Sequence, residues 1–116
     1  MPMPRISEQN MTQEEFTTYI DKKMTEKEFG RQVEELARLS GWTYYHTWNS
    51  QNSVAGFPDY VFMKPPRIIY AELKSEKGKV TRAQEYMLLT LNQCNQTTYI
   101  WRPSDWNDIE EVLRGD

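Results

Sequence analysis

Two apolar runs joined by a short turn stand out in the pattern of hydrophobic and polar positions along the chain. The runs cover residues 60–63 and 68–73, and a pair of prolines between them favours a turn, so the pattern predicts an antiparallel hairpin. The second run is apolar on both faces until its end, as expected of an interior strand, and there Glu72 and Lys74 appear. Because a strand points successive side chains to opposite faces, these two charged groups share one face.

The rest of the chain alternates helical and strand patterns around this hairpin. The spacing of apolar, aromatic and β-branched residues predicts helices over 11–24, 26–40 and 81–93, a fourth helix capped by Ser104, and strands over 42–48 and 97–101. Three of the helices begin at a threonine that is followed three positions later by Glu or Gln, the spacing of a capping box; these are Thr12, Thr25 and Thr81. The element order α-α-β-β-β-α-β-α predicts an α/β fold with a mixed central sheet of about four strands flanked by helices.

Length and composition limit the class of protein. At 116 residues the chain is long enough for one small core, so we expect residues 1–24 to form a loose tail with an accessory helix and residues 25–116 to form the domain. The single cysteine, Cys94, excludes an intrachain disulfide and favours a reducing compartment. Because no apolar run reaches membrane-spanning length and no signal peptide opens the chain, we expect a cytoplasmic protein without membrane contact.

The distribution of charge is more informative than its sum. The formal net charge is −3, which does not point to nucleic acid. Residues 61–83, however, contain six basic and two acidic residues, whereas residues 104–116 contain one basic and five acidic ones. The hairpin region is therefore basic, and we expect its lysines and arginines to contact phosphates rather than only solvent.

Asp59 introduces candidate chemistry, because the predicted hairpin places it beside Glu72. Two neighbouring carboxylates repel each other unless a cation lies between them, and Mg²⁺ typically takes one or two carboxylates plus waters. Such an ion polarises a phosphoryl oxygen and lowers the pKa of bound water, and Lys74 on the same face can orient that water. The alternative is a surface Glu72–Lys74 ion pair with Asp59 ending a turn. Pro-Asp before one strand and Glu-Leu-Lys at the end of the next favours the metal site.

Three further polar residues have two interpretations each. Glu26 lies in the first turn of a predicted helix, where it either supports the metal or simply complements the helix dipole. Gln84 either caps its helix or reaches the site, and both can hold. His46 is the only histidine of the chain, and it either packs within its strand or contacts a phosphate or a water.

The motif residues carry a resemblance to a known nuclease family. Pro58-Asp59 is followed thirteen positions later by Glu72-Leu73-Lys74, which resembles the PD-(D/E)xK nuclease pattern. The flanking Gly56-Phe57 and the later Ala83-Gln84 are similar to the VRR-NUC branch of that superfamily, including its small stand-alone phage members. The resemblance covers roughly residues 25–113 and implies a restriction endonuclease-like core.

The resemblance implies a Mg²⁺- or Mn²⁺-dependent enzyme that hydrolyses phosphodiester bonds in DNA, either duplex or branched. Asp59, Glu72 and the backbone carbonyl of Leu73 are then expected to bind the metal. Lys74 is expected to position the attacking water, with Glu26 and Gln84 in support. The expected enzyme either nicks DNA or cuts branched structures as a junction resolvase does, in a host cytoplasm if a phage encodes it.

Binding of DNA and of a second copy completes the expectations. Five residues are predicted to contact DNA: Lys64, Lys77, Lys79, Arg82 and His46. A rival interpretation is a DNA-binding module that has lost catalysis, although two carboxylates facing phosphates argue against it. We expect a homodimer, because two sites related by two-fold symmetry match the two strands of a duplex. Apolar residues of the first helix and the aromatic strand would form its interface, whereas a monomer would cover its own sheet with that helix.

Overall fold

The fold is described from a computed structural model, which covers residues 11–47 and 55–115. Its helices are α1 (Gln13–Lys23), α2 (Glu26–Leu39), α3 (Arg82–Gln93) and α4 (Trp106–Arg114), and its strands are β1 (Thr43–His46), β2 (Tyr60–Lys64), β3 (Arg67–Leu73) and β4 (Thr97–Trp101). A 3₁₀ turn, Pro103–Asp105, precedes α4. The predicted α/β fold and its element order are thus confirmed.

The four strands form one mixed sheet in the order β1-β2-β3-β4. β1 with β2 and β2 with β3 are antiparallel, whereas β3 and β4 are parallel and are connected by α3. The predicted hairpin is present, with Tyr60 opposite Ala71 and a cis Pro65-Pro66 bond in its turn. β3 therefore lies in the interior of the sheet, with its last residues next to the start of β2.

Threonine caps explain where three helices begin. The hydroxyl oxygens of Thr12, Thr25 and Thr81 each accept a hydrogen bond from the backbone N–H three residues later, as predicted. Only the third is a full capping box, in which Gln84 also accepts from the backbone N–H of Thr81. The prediction that Ser104 caps the last helix is wrong. Pro103 starts the 3₁₀ turn instead, and α4 begins only after Asp105, whose carboxylate accepts from the backbone N–H of Arg102.

One face of the sheet forms the hydrophobic core. Tyr60 and Phe62 of β2 alternate onto the same face as Ile69, Ala71 and Leu73 of β3, and all five are buried. They pack against α2 and α4, whose buried residues are Phe29, Val33, Leu36, Ala37, Ile109 and Leu113. Ser40, predicted on the inward stripe of α2, is only half-buried, and Gly41 ends the helix region with a φ of 88°.

The opposite face is covered less completely. Ile68 is 38% exposed, so the expectation that β3 is apolar and buried on both faces is only partly correct. α3 covers the part of this face near Glu72, through the hydrogen bond from Gln84. β1 begins at Thr43 rather than at the predicted Trp42, because the backbone N–H of Trp42 donates to the carbonyl of Ala37 at the end of α2. The Trp42 side chain is buried and donates its indole N–H to the carbonyl of Leu113.

Helix α1 lies at the edge of the domain. It contacts the 3₁₀ turn and contains no buried residue, and Phe16 and Ile20 of its predicted apolar stripe are 45% and 40% exposed. The expected loose tail over 1–10 and Trp48 of the predicted strand over 42–48 lie outside the described residues. Among the described helices, none combines the length and the apolar character that crossing a bilayer requires.

Candidate metal centre

The hairpin brings the two motif carboxylates together. Tyr60 pairs with Ala71, so the residues just beyond that pair, Asp59 and Glu72, are neighbours across the ladder at the end of β3. Asp59 Oδ2 accepts a hydrogen bond of 3.0 Å from the backbone N–H of Leu73, which fixes the Asp59 side chain against β3. The predicted adjacency of the two carboxylates is therefore present, and Leu73 lies between the motif residues Glu72 and Lys74.

A third carboxylate reaches this point from the start of α2. Glu26, Asp59 and Glu72 each offer a carboxylate oxygen, and these oxygens all lie within 4.8 Å of one another. Glu26 is the first residue of α2, which Thr25 caps, and this end of the helix lies beside the start of β2 and the end of β3. The three residues come from separate elements, an arrangement that a stabilising interaction with the helix dipole alone does not require.

Glu72 is buried, with 1% of its surface exposed. Burial, and then the nearby charge of Asp59, raise the pKa of Glu72 to about 8, while Lys74 acts in the opposite direction. Its Oε2 accepts a hydrogen bond of 2.9 Å from the side-chain amide of Gln84. Within the described part of the chain, its Oε1 has no hydrogen-bond partner, although it is buried. A buried, ionised carboxylate oxygen without a partner is costly, so this position favours either a bound cation or a proton shared with Asp59.

The donor set fits a hard divalent cation. Three converging carboxylates repel one another, and a cation with oxygen ligands relieves that repulsion while giving Glu72 Oε1 a partner. Asp59 and Glu72 are the best-placed ligands, because both are fixed by hydrogen bonds. Glu26 is exposed and can complete the set.

Lys74 and Gln84 both contact Glu72. Lys74 Nζ lies 3.6 Å from Glu72 Oε2, and the Lys74 side chain is only 14% exposed. Gln84 donates to Glu72 through its Nε2, while its Oε1 accepts from the N–H of Thr81. Both interpretations of Gln84 are therefore correct in geometry, because one side chain caps α3 and holds the carboxylate.

Gly56 explains how the motif loop lies against α3. It has a φ of 91°, and a Cβ built on it would lie 2.3 Å from the carbonyl oxygen of Ala83. A side chain cannot fit there, so the backbone before Pro58-Asp59 packs directly on the first turn of α3. The close approach brings Asp59 and Gln84 to the same end of the sheet.

A cleft of about 410 Å³ opens beside the three carboxylates. Its lining includes Glu26, Asp59 and Leu73 together with residues of α2 and β1. His46 also lines it and stacks on Tyr60, with ring centroids 4.4 Å apart. His46 thus lies at the cleft as well as packing in the sheet, so its two predicted roles are compatible.

The predicted DNA contacts do not all lie near the centre. Lys77 and Lys79 are exposed on the loop that follows β3, and Arg82 is exposed at the start of α3. Lys64 lies at the far end of the hairpin, four residues or about 13 Å beyond Tyr60, next to Gly41. Arg67 stacks over Trp42 at that same end. The basic segment therefore divides between the two ends of the hairpin.

Arg102 holds the basic loop and was not singled out from the sequence. Its Nη1 donates to the backbone carbonyls of Ser75, Glu76 and Gly78, at 2.7, 3.2 and 2.7 Å. Glu76 in turn accepts a 2.7 Å hydrogen bond from the backbone N–H of Ser104. The position of Arg102 directly after β4 predicts only that the strand ends there. Nothing in the neighbouring sequence predicts its hydrogen bonds to the distant loop.

Comparison with known proteins adds no assignment: no protein-family model matches the chain, and neither the curated proteins nor the solved structures give a match.

Proposed function

We propose that the protein is a Mg²⁺- or Mn²⁺-dependent endonuclease that hydrolyses phosphodiester bonds of DNA. The observation that carries the proposal is the unpartnered, buried Oε1 of Glu72 within a cluster of three carboxylates. A carboxylate in that position favours a bound cation over a surface ion pair, because its solvation is lost and its neighbours are acidic. The resemblance of the chain to the VRR-NUC nucleases is part of the same proposal.

Each residue of the centre has a proposed role. Asp59, Glu72 and the backbone carbonyl of Leu73 bind the metal, and Glu26 supports them. When bound, the cation polarises a phosphoryl oxygen and lowers the pKa of a bound water. Gln84 holds Glu72 Oε2, which leaves Oε1 as the ligand atom. Lys74 positions the attacking water and offsets negative charge that develops on the phosphoryl oxygens.

The proposed substrate is duplex or branched DNA. The exposed cations Lys77, Lys79 and Arg82 follow Lys74 directly in the chain, so they can hold the phosphates that flank the scissile bond. His46 is a further proposed contact at the cleft, and the position of Lys64 makes it a contact remote from the cut. Nicking and cleavage of junctions both fit one site per chain, and a homodimer would present two.

Cleavage of supercoiled plasmid and of four-way DNA tests the proposal. With Mg²⁺ or Mn²⁺ we expect nicked or linear products, and with EDTA none. Lys74→Ala should reduce the rate about 10²- to 10⁴-fold, the usual range for losing a group that assists proton transfer. Lys77→Ala is the matched control, because it removes the same charge three residues away and should mainly weaken binding. Unchanged cleavage by Lys74→Ala would refute its role.

The second candidate is a DNA-binding module that has lost catalysis. The basic loop that Arg102 holds in place supports this candidate, because a protein that only binds DNA would also use such a loop. Calorimetry with Mn²⁺ separates the two proposals. The nuclease requires Mn²⁺ binding that Glu72→Gln abolishes, whereas the module predicts no Mn²⁺ binding and tight DNA binding in EDTA.

A further inference from the structure

The cleft beside the metal centre extends along helix α2. Glu26 is followed by Lys27, Gly30, Arg31 and Glu34 among the residues that line it. Arg31 lies one helical turn beyond Lys27, so the two cations share a helix face about 6 Å apart along the axis. The cleft therefore joins Glu26 and Asp59 of the candidate metal centre to a pair of cations.

Both cations lack a protein partner among the described residues. Neither Lys27 nor Arg31 forms an ion pair or a side-chain hydrogen bond with another described residue, and both are exposed. By contrast, Arg38 on the same helix pairs with Glu35 at 2.6 Å. A cation pair that the protein leaves without partners in a cleft is available to an anionic ligand.

The two glutamates at helical ion-pair spacing from Arg31 have other partners: Glu35 pairs with Arg38, and Glu34 is bound by tyrosines. Glu34 accepts hydrogen bonds from the hydroxyls of Tyr44, at 3.1 Å, and of Tyr60. Glu34 is three residues from Arg31, the spacing of a helical ion pair, so these hydroxyls leave Arg31 free of its natural neighbour. Burial, together with the bond to Glu34, raises the pKa of Tyr60, so Tyr60 remains a hydrogen-bond donor.

Gly30 lies between the two cations on the α2 wall of the cleft, and its lack of a side chain leaves space for the Tyr60 hydroxyl. A Cβ on Gly30 would lie 3.2 Å from the hydroxyl oxygen of Tyr60, which is closer than ordinary contact. A larger residue there would displace Tyr60 from Glu34 or narrow the cleft. The glycine thus permits the hydrogen bond that leaves Arg31 unpaired.

We propose that Lys27 and Arg31 form a second phosphate subsite, which binds the backbone of the nucleic-acid strand next to the phosphodiester held at the metal centre. The inference rests on the proposed nuclease function and deepens it. Four carboxylates, those of Glu26, Glu34, Asp59 and the adjoining Glu72, against two cations give this region a negative formal balance, and a divalent ion at the centre neutralises it. The strand therefore runs along α2, and the loop with Lys77 and Lys79 contacts other phosphates.

Equilibrium DNA binding tests the subsite. Fluorescence anisotropy is measured with a labelled single-stranded oligonucleotide and with a duplex in the presence of Ca²⁺, a hard cation that also takes oxygen ligands. At about 0.1 M salt, each lost phosphate contact weakens binding by roughly tenfold and lowers the slope of log K against log salt by about 0.7 to 0.9. The double variant Lys27→Ala/Arg31→Ala should therefore lose both contacts, while its Mn²⁺ affinity should not fall, because removing cations beside the carboxylates does not weaken cation binding.

Arg38→Ala/Arg114→Ala is the matched control. It removes the same amount of positive charge from two exposed arginines that already pair with neighbouring glutamates, so its salt slope should be near that of the wild type. If the wild type binds and cuts DNA and the first double variant binds equally well, the subsite is wrong and the nuclease stands. If the wild type binds no DNA in any of these conditions, both proposals are wrong.

Discussion

Glu72 is the residue on which the proposed chemistry depends. Its position after an apolar run and before Lys74 was enough to predict a site, because charges rarely end a buried strand without reason. Its complete burial, its unpartnered Oε1 and its bond to Gln84 could not be predicted, since they depend on how α3 crosses the sheet. The dual role of Gln84 likewise needed the position of Glu72.

The raised pKa of Glu72 predicts a pH-dependent stability of the metal-free protein. Its folded pKa of about 8 lies above the ordinary 4.5, so the folded state favours the neutral form. The stabilising contribution is complete below pH 4.5 and is lost as the pH rises through 8. In EDTA, the urea midpoint should therefore fall between pH 5 and pH 8 in the wild type more than in Glu72→Gln.

Glu28→Gln is the control for this measurement, because Glu28 is an exposed carboxylate in the same turn as Glu26. It should leave the pH dependence of the wild type unchanged. Mn²⁺ at pH 8 should restore the wild-type midpoint, since a bound cation replaces the proton on Glu72. Equal pH profiles for the wild type and Glu72→Gln in EDTA would contradict the account of this residue.

At the scale of elements, the site depends on where segments meet. The hairpin and the threonine caps were predictable, because strand alternation and capping spacings are local signals. The contact of the Gly56 loop with α3 and the bonds of Arg102 to the basic loop were not, since each joins segments more than twenty residues apart. The wrong prediction that Ser104 caps α4 has a local cause, because Pro103 begins a 3₁₀ turn one residue before Ser104.

Gly56→Ala should disturb the site without touching any of its ligands. The new Cβ would overlap the carbonyl of Ala83 at 2.3 Å, and a φ of 91° is strained for alanine. We expect a loss of about 1–3 kcal/mol in the free energy of unfolding, measured with urea, together with weaker Mn²⁺ binding. Gly78→Ala is the control, because its Cβ would lie 3.1 Å from a movable serine hydroxyl. Wild-type stability and Mn²⁺ affinity in Gly56→Ala would exclude the close packing.

Arg102→Ala should release the basic loop. Three backbone carbonyls lose their donor, so hydrogen exchange over residues 75–78 should accelerate and DNA affinity should fall several-fold. Arg114→Ala, which removes an exposed arginine paired with Glu110, should change neither. The loop assignment fails if exchange in this segment is the same in Arg102→Ala as in the wild type.

At the scale of the whole molecule, charge and apolar surface are unevenly distributed. The acidic C-terminal segment forms α4, which packs under the sheet, whereas the cations of the loop after β3 are exposed. Exposed apolar side chains occur on α1 and on the sheet face away from the core, including Phe16, Ile20 and Ile68. Trp42 belongs to the aromatic strand that we expected at the interface, but it is buried in the domain. Among the described residues, the proposed interface therefore comprises α1 and the exposed tyrosines of β1.

A homodimer is the expected state in solution. α1 buries none of its residues on the domain, so its apolar stripe is available to a second copy. Light scattering at micromolar concentration should give about twice the chain mass of 13.9 kDa, and deletion of residues 1–23 should reduce it to one chain mass. Phe16→Ser/Ile20→Ser, which keeps the helix in the chain, should have the same effect. A full-length mass near 13.9 kDa would contradict the dimer.

The central claim is that Glu26, Asp59 and Glu72 hold one divalent cation at the end of β3. Anomalous diffraction from crystals grown with Mn²⁺ tests it most directly, because it locates the ion independently of any activity. The account predicts a peak at coordination distance, about 2.0–2.3 Å, from Glu72 Oε1 and an Asp59 carboxylate oxygen, and no such peak in Glu72→Gln crystals. An ordered Glu72 with no anomalous peak beside it, at millimolar Mn²⁺ and neutral pH, would contradict it.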